Sequence, residues 1–332
     1  MTAVTLVMGA GGVGKTTIAA GIAALGARRG ERTLVITVDP ARRLADALGT
    51  TVGPQPHRVA GHERLDAAML DAAAAWEGIA RAHAAPATAD RLVANSFFRA
   101  VADRFPSGQA YAAGEQVLGT MQTGVYDQIV VDTPPAAAGI AFLTAPARIR
   151  ALVSGRALRV LTGPRLPGRR LVYSVTARPA LRIADAVLGG RLLEDLAEFL
   201  IDLSETYPGI ARRSREVEAM LSAARMAVVA TPDPGPADEA RRILAGRSGA
   251  SGATVAVFNR TLPRTWAVPA VPAAAALASW GAEAARHELV RADFATHTGL
   301  MPLTIPWLEE APQDPAGLAD LMETAGWEAR LS

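Results

Sequence analysis

The chain has 332 residues, half of them hydrophobic and a fifth charged, with a formal net charge of +2. Such a composition belongs to a globular protein with a full core, and the nearly neutral balance supplies no basic field for nucleic acid. Cysteine is absent, which excludes disulfides, a cysteine-held zinc or iron–sulfur cluster, and a thiol nucleophile.

The first element is the apolar run Val4–Met8, which stops at glycines and reads as a buried parallel strand. No signal peptide is expected ahead of it, and no run of about 18 uncharged apolar residues suggests a membrane span, so the expectation is a cytoplasmic protein. A helix is predicted from about Lys15 to Arg29, then Gly30, then a second strand over Thr33–Val38. Together these make a βαβ unit.

Between the first strand and its helix lies Gly9-Ala10-Gly11-Gly12-Val13-Gly14-Lys15-Thr16-Thr17, which fits the spacing glycine, four residues, Gly-Lys-Thr. Glycines let backbone N–H groups turn inward around phosphate oxygens, and the following helix points its positive end at the same anion. Gly11, Gly12, Val13, Gly14 and Thr17 are therefore expected to bind the phosphates. Lys15 is expected to reach the β- and γ-phosphates, and the Thr16 hydroxyl to coordinate Mg²⁺. Lys15 is the only lysine of the chain, and every other basic side chain apart from histidine is arginine. A planar guanidinium does not fit a cradle shaped for a compact ammonium, which accounts for a lysine at this one place.

Further along, strands are predicted at Gln128–Val131, Ala227–Ala230, Thr254–Phe258 and Leu303–Ile305. Each ends at polar or turn residues: Asp132-Thr133-Pro134, Thr231-Pro232-Asp233, Asn259-Arg260 and Pro306. Ligands of open parallel sheets sit at such carboxyl ends. The stretches 62–125 and 145–225 show helical rather than alternating patterns, the clearest being the amphipathic Leu192–Leu200. Gly163–Arg170 and Val268–Pro272 read as a loop and a proline-punctuated connector. The fold class expected is α/β: a P-loop nucleotidase with a mostly parallel sheet flanked by helices and an inserted α-helical subdomain. The expected organisation is one domain over 1–332. Its core comes from 1–60, 126–150 and 225–332, and its helical subdomain from about 62–125 and 150–225.

The doubled glycine before Val13-Gly14-Lys15 resembles the variant phosphate loop of the SIMIBI class of P-loop ATPases. The strand ending Val35-Ile36-Thr37-Val38-Asp39-Pro40-Ala41 is similar to the first switch of the arsenite-pump ATPase family and of its relatives in the Get pathway, which target tail-anchored membrane proteins. Val131-Asp132-Thr133-Pro134-Pro135 and Phe142–Pro146 resemble the second switch. The resemblance implies that Asp39 orients or deprotonates an attacking water. It implies that Asp132 supports Mg²⁺ through water, and that Asn259-Arg260 and Pro306 lie where the family contacts adenine. Plainer readings stand beside each: Asp39 as a helix N-cap before Pro40, Asp132 as a turn residue, Asn259 as a turn cap. ATP is implied over GTP, and no Asn-Lys-x-Asp guanine motif is present.

The family's second, signature lysine would stand at Ala10, and Ala136-Ala137-Ala138-Gly139 carries no polar side chain where the second switch often has several. The resemblance implies an ATPase, slow or partner-dependent because of Ala10, that works as a homodimer or as a heterodimer with a related ATPase. Three functions stay open: a switch whose dimer closure controls a client or membrane-associated protein, a catalytically weak scaffold subunit, and a ParA/MinD-like partitioning ATPase. No nucleic acid and no zinc are expected as partners. Met69, Met121 and Met220 fall in the helical stretches and suit either a client groove or the core.

Overall fold

The computed structural model describes residues 2–38, 43–104, 106–134, 136–155, 192–247, 249–267 and 275–330. Eight strands form one sheet in the order β3-β4-β2-β5-β1-β6-β7-β8. They are β1 (Ala3–Gly9), β2 (Thr33–Thr37), β3 (His57–Arg58), β4 (Leu65–Met69), β5 (Gln128–Asp132), β6 (Arg225–Ala230), β7 (Thr254–Thr261) and β8 (Leu303–Pro306). All neighbours run parallel except β3, which pairs antiparallel with β4 at the edge. The helices are α1 (Lys15–Arg28), α2 (Arg43–Leu48), α3 (Ala72–His83), α4 (Pro86–Ala94), α5 (Ser96–Arg104) and α6 (Pro106–Gln122). They continue with α7 (Ala136–Ser154), α8 (Leu192–Ala223), α9 (Pro234–Ala245), α10 (Ala275–Thr298) and α11 (Pro315–Thr324). The mixed α/β architecture expected from the sequence is the one observed.

The strand at 65–69 corrects the reading of 62–125 as helical throughout, and the short strand at 57–58 was not foreseen. Leu65-Asp66-Ala67-Ala68-Met69 lacks the β-branched and aromatic residues that favour strands, and its alanines favour helix. Pairing with β2, Thr33 opposite Leu65 through Thr37 opposite Met69, overrides that preference. Met69 therefore sits in a strand, and Met220 is buried, which leaves neither as a groove methionine. Gly163–Arg170 and Val268–Pro272 lie outside the described residues.

The chain forms two compact units. The first comprises residues 1–70, 119–140 and 220–332 and contains the sheet. Its main core lies between the sheet and α1, where Ile18, Ile22 and Leu25 meet Val35, Val130, Val229, Leu318 and Met322. Small residues bring α1 and α11 together: a Cβ on Gly21 would meet the Met322 side chain at 2.7 Å. On β7, the Phe258 ring meets Phe294 of α10 at 5.1 Å.

The second unit, residues 71–118 and 141–219, is helical in its described residues and has its own core of Trp76, Phe98, Tyr111, Phe199 and Tyr207. Within it, α6 and α8 are joined by a buried polar group. Arg213 donates to Glu115 at 2.8 Å, and the Tyr111 hydroxyl donates to the same carboxylate at 2.8 Å. Burial and the neighbouring carboxylate push the Tyr111 hydroxyl far above its ordinary range, so it stays a donor. Removing one partner of a buried pair strands the other charge. Arg213→Met is expected to lower the unfolding free energy by roughly 3 kcal/mol, and Arg213→Met with Glu115→Gln, which removes the stranded charge but keeps an acceptor for Tyr111, to recover part of that loss. Urea denaturation followed by circular dichroism measures both.

Candidate nucleotide site

The site begins where β1 ends. A Cβ on Gly9 would lie 2.0 Å from the Val229 carbonyl oxygen, so only glycine allows β1 to run this close to β6. Gly14 has φ +93, the left-handed conformation that glycine adopts without strain, and it turns the chain directly into α1. The first turn of α1 carries neither an acidic residue nor a side-chain cap. Its leading N–H groups and its dipole therefore meet no acidic side chain of the helix itself.

The Lys15 ammonium is buried and donates to the Ala10 carbonyl at 2.8 Å. The Thr16 hydroxyl donates to Asp132 Oδ2 at 2.8 Å, and the Thr37 hydroxyl donates to the same oxygen at 3.1 Å. Sheet register explains this meeting. Val7 of β1 and Thr37 of β2 both pair with Asp132 of β5, so three strands deliver their ends to one place. Asp132 is 1% exposed, a burial a carboxylate tolerates only with donors around it. Thr133 fixes the turn that follows, its hydroxyl donating to the Val7 carbonyl at 2.8 Å.

Gly12, Gly14, Lys15, Thr16 and Thr17 line one cavity of about 450 Å³. Asp132 stands behind Thr16 and does not line it. Asp39 lies outside the described residues. Asn259 Nδ2 donates to the Val13 carbonyl at 2.9 Å, and its Oδ1 accepts from the Arg260 backbone N–H at 3.0 Å. The amide is thus engaged with the phosphate loop itself. Pro306 ends β8 opposite Thr261 and is exposed, and the cavity wall beyond β8 is made by Ala311, Pro312 and Gln313.

Arg43, Asp46 and Ala47 of α2 also line the cavity, as does Arg260. The residues from α2 and from 311–313 were not foreseen, because nothing in their local sequence marks which surface α2 and the segment after β8 present. Arg260 has a backbone signature: at φ +60 it is the one non-glycine residue with positive φ among those described, at the irregularity in β7 between Phe258 and Thr261. Bulges of this kind re-aim side chains at strand ends. Lys15, Arg43 and Arg260 outnumber Asp46 in the lining, so the cavity favours an anion. Among the described residues, no group of three or more His, Cys, Asp or Glu could hold a metal ion, and no helix is long and apolar enough to cross a membrane.

A parallel sheet whose central strand runs through a glycine-rich turn into a helix, with a buried lysine in the turn and a hydroxyl–carboxylate pair behind it, is the P-loop nucleotide-binding fold. Residues 2–162 match the family model described as anion-transporting ATPase. An uncharacterized protein of Streptomyces coelicolor is 32% identical over 263 residues, which cover 78% of this chain and 62% of that protein. The ATPase get3 of Aspergillus terreus is 26% identical over 63% of this chain and 59% of its own length. A putative arsenical pump-driving ATPase of Halobacterium salinarum is 49% identical over 69 residues, 21% of this chain and 11% of that protein. The chain thus spans less than two thirds of the length of these relatives.

The bond from Asn259 to Val13 makes a prediction about the loop. Asn259→Ala removes the donor of a part-buried carbonyl and should destabilise the first unit by about 1–2 kcal/mol. Asn259→Asp, which offers no amide donor, should lose as much. Chemical denaturation of the two variants against the parent chain measures the effect.

Proposed function

We propose that this chain binds Mg-ATP in the cavity at the end of β1 and hydrolyses it as a switch ATPase whose nucleotide state governs a dimer and, through it, a partner protein. The observation that carries the proposal is the pair of hydroxyls, Thr16 and Thr37, donating to one oxygen of Asp132 beside the lysine and the glycine turn. Because the Thr16 hydroxyl spends its proton on Asp132, its oxygen lone pairs stay available to a hard cation. The donor set therefore fits Mg²⁺, held by Thr16 directly and by Asp132 through water. When bound, Mg²⁺ neutralises charge on the terminal phosphates.

The chain's own residues supply the rest. Amides of Gly11 to Gly14 and of the first turn of α1 hold the phosphates in line, and the Lys15 ammonium balances their charge. Asp39, two residues beyond β2, orients the attacking water by resemblance to the family. Arg260 and residues 311–313, which line the same cavity, are the candidates to receive the nucleoside.

One observation favours a second reading, in which the chain is the weaker member of a heterodimer. Ala10, where the family resemblance would place a trans-acting lysine, is a buried alanine and supplies no cation. Such cations can be worth orders of magnitude in rate.

Steady-state Mg-ATP hydrolysis over a protein concentration series separates the two. The switch reading expects specific activity to rise with protein concentration and to fall at least about 100-fold in Lys15→Ala, Asp39→Asn and Asp132→Asn. Tight Mg-ATP binding without turnover at any concentration favours the weak-subunit reading. No binding overturns both.

A further inference from the structure

Of the five tryptophans in the chain, Trp76 and Trp327 are in the core, at 5% and 1% exposure. The other three are displayed: Trp266 at 45%, Trp280 at 48% and Trp307 at 53%, with Leu308 beside them at 38%. They touch in series. The Trp266 and Trp280 rings are 6.5 Å apart at 72°, and Trp280 and Trp307 are 6.4 Å apart at 35°. They come from three places: the short turn Arg264–Trp266 after β7, the helix α10, and the residue after β8.

The cluster is held by backbone rather than by chance side-chain contact. The Trp307 N–H donates to the Thr261 carbonyl at 2.9 Å and the Trp266 N–H to Pro263 at 3.0 Å. A Cβ on Gly281, next to Trp280, would lie 2.9 Å from the Trp266 carbonyl oxygen, so α10 approaches the turn closely. Three half-exposed indoles leave on the order of 300 Å² of aromatic surface in water, the size of the largest apolar patch on an ordinary monomer, which is often functional. Neither the phosphate loop nor the cavity beside it uses any of them.

The charges around the patch indicate what it accepts. Arg264 is paired with Glu288, and Arg286 with Glu283 and Asp233. Glu309 and Glu310, which directly follow Trp307-Leu308, are exposed and have no ion pair among the described residues. Of the described charged residues next in sequence to the three tryptophans, the ones without an ion pair are thus the carboxylates of Glu309 and Glu310. Indole faces attract guanidinium and ammonium groups, and a carboxylate lip strengthens that preference while repelling anionic lipid headgroups.

We propose that the Trp266–Trp280–Trp307 face is a docking surface for an arginine- or lysine-bearing amphipathic segment of a partner protein. The partner's apolar side chains lie across the indoles and its cations reach Glu309 and Glu310. The inference stands apart from the ATPase reading, since no residue of the nucleotide site takes part.

The test is isothermal titration of the full chain with an 18-residue amphipathic peptide of leucine and arginine, beside a leucine and glutamate peptide of the same pattern. The expected result is micromolar binding of the arginine peptide and none of the glutamate peptide. Binding should weaken about tenfold or more in Trp280→Ala, and likewise in the double variant Glu309→Gln with Glu310→Gln. Unchanged circular dichroism and melting temperature show that these variants stay folded. Equal binding of both peptides, or binding that the variants leave unchanged, overturns the proposal. So does loss of a dimer in Trp280→Ala by sedimentation without peptide binding, which assigns the face to a second copy, or a preference for anionic over neutral vesicles.

Discussion

The Asp132 carboxylate is the point on which the architecture of the site depends. It is almost wholly buried, and one of its oxygens accepts hydroxyl donors from two elements that are distant in sequence, Thr16 in α1 and Thr37 in β2. An anion in such a place is stable only while those donors stay, so β5 holds the helix start and the neighbouring strand end in register with itself. The parallel pairing of β1, β2 and β5 sets the geometry in advance, because it places Val7, Asp132 and Thr37 in one row across the sheet. What α1 presents at its first turn is thus fixed by the sheet, and the dipole of α1 is aimed by the same contact.

A second constraint acts from the other side. Asn259 reaches from β7 to the Val13 carbonyl, so the glycine turn is held between Asp132 behind α1 and Asn259 beyond Gly14. A Cβ on Gly14 would come within 2.3 Å of the Asn259 amide, which ties the two residues sterically as well as through the backbone. The loop needs glycine for conformation, yet it is not loose: its turn is enclosed by a carboxylate network, a strand-end amide and the ammonium of Lys15. Preorganisation of this kind lowers the cost of ordering a loop around a polyphosphate.

The sequence made most of the sheet plain and left one end of it obscure. Continuous apolar runs ending at polar residues located β1, β2, β5, β6, β7 and β8, because strands buried on both faces must be apolar throughout and the chain must turn where they stop. The phosphate loop was readable for a similar reason: glycine spacing, Lys15 and Thr16 have no equally good structural explanation together. The strands β3 and β4, at one end of the sheet, were hidden because His57-Arg58 and Leu65–Met69 become strands through pairing, not through their own preference. Arg43 and Gln313 were hidden because their place in the cavity wall depends on how α2 and the segment after β8 pack. The tryptophan face lay in plain view as composition, but which of five indoles would be buried is decided by tertiary packing alone.

The central claim is that a polyphosphate sits on this turn with Lys15 as its one suitable cation. Calorimetric titration of Mg-ATP into the parent chain and into Lys15→Arg tests it most directly, since the charge is kept and only its shape changes. The account predicts low-micromolar or tighter binding by the parent chain and a loss of about 100-fold or more in Lys15→Arg, with unfolding unchanged. No binding by the parent chain, or equal binding by Lys15→Arg, would contradict it.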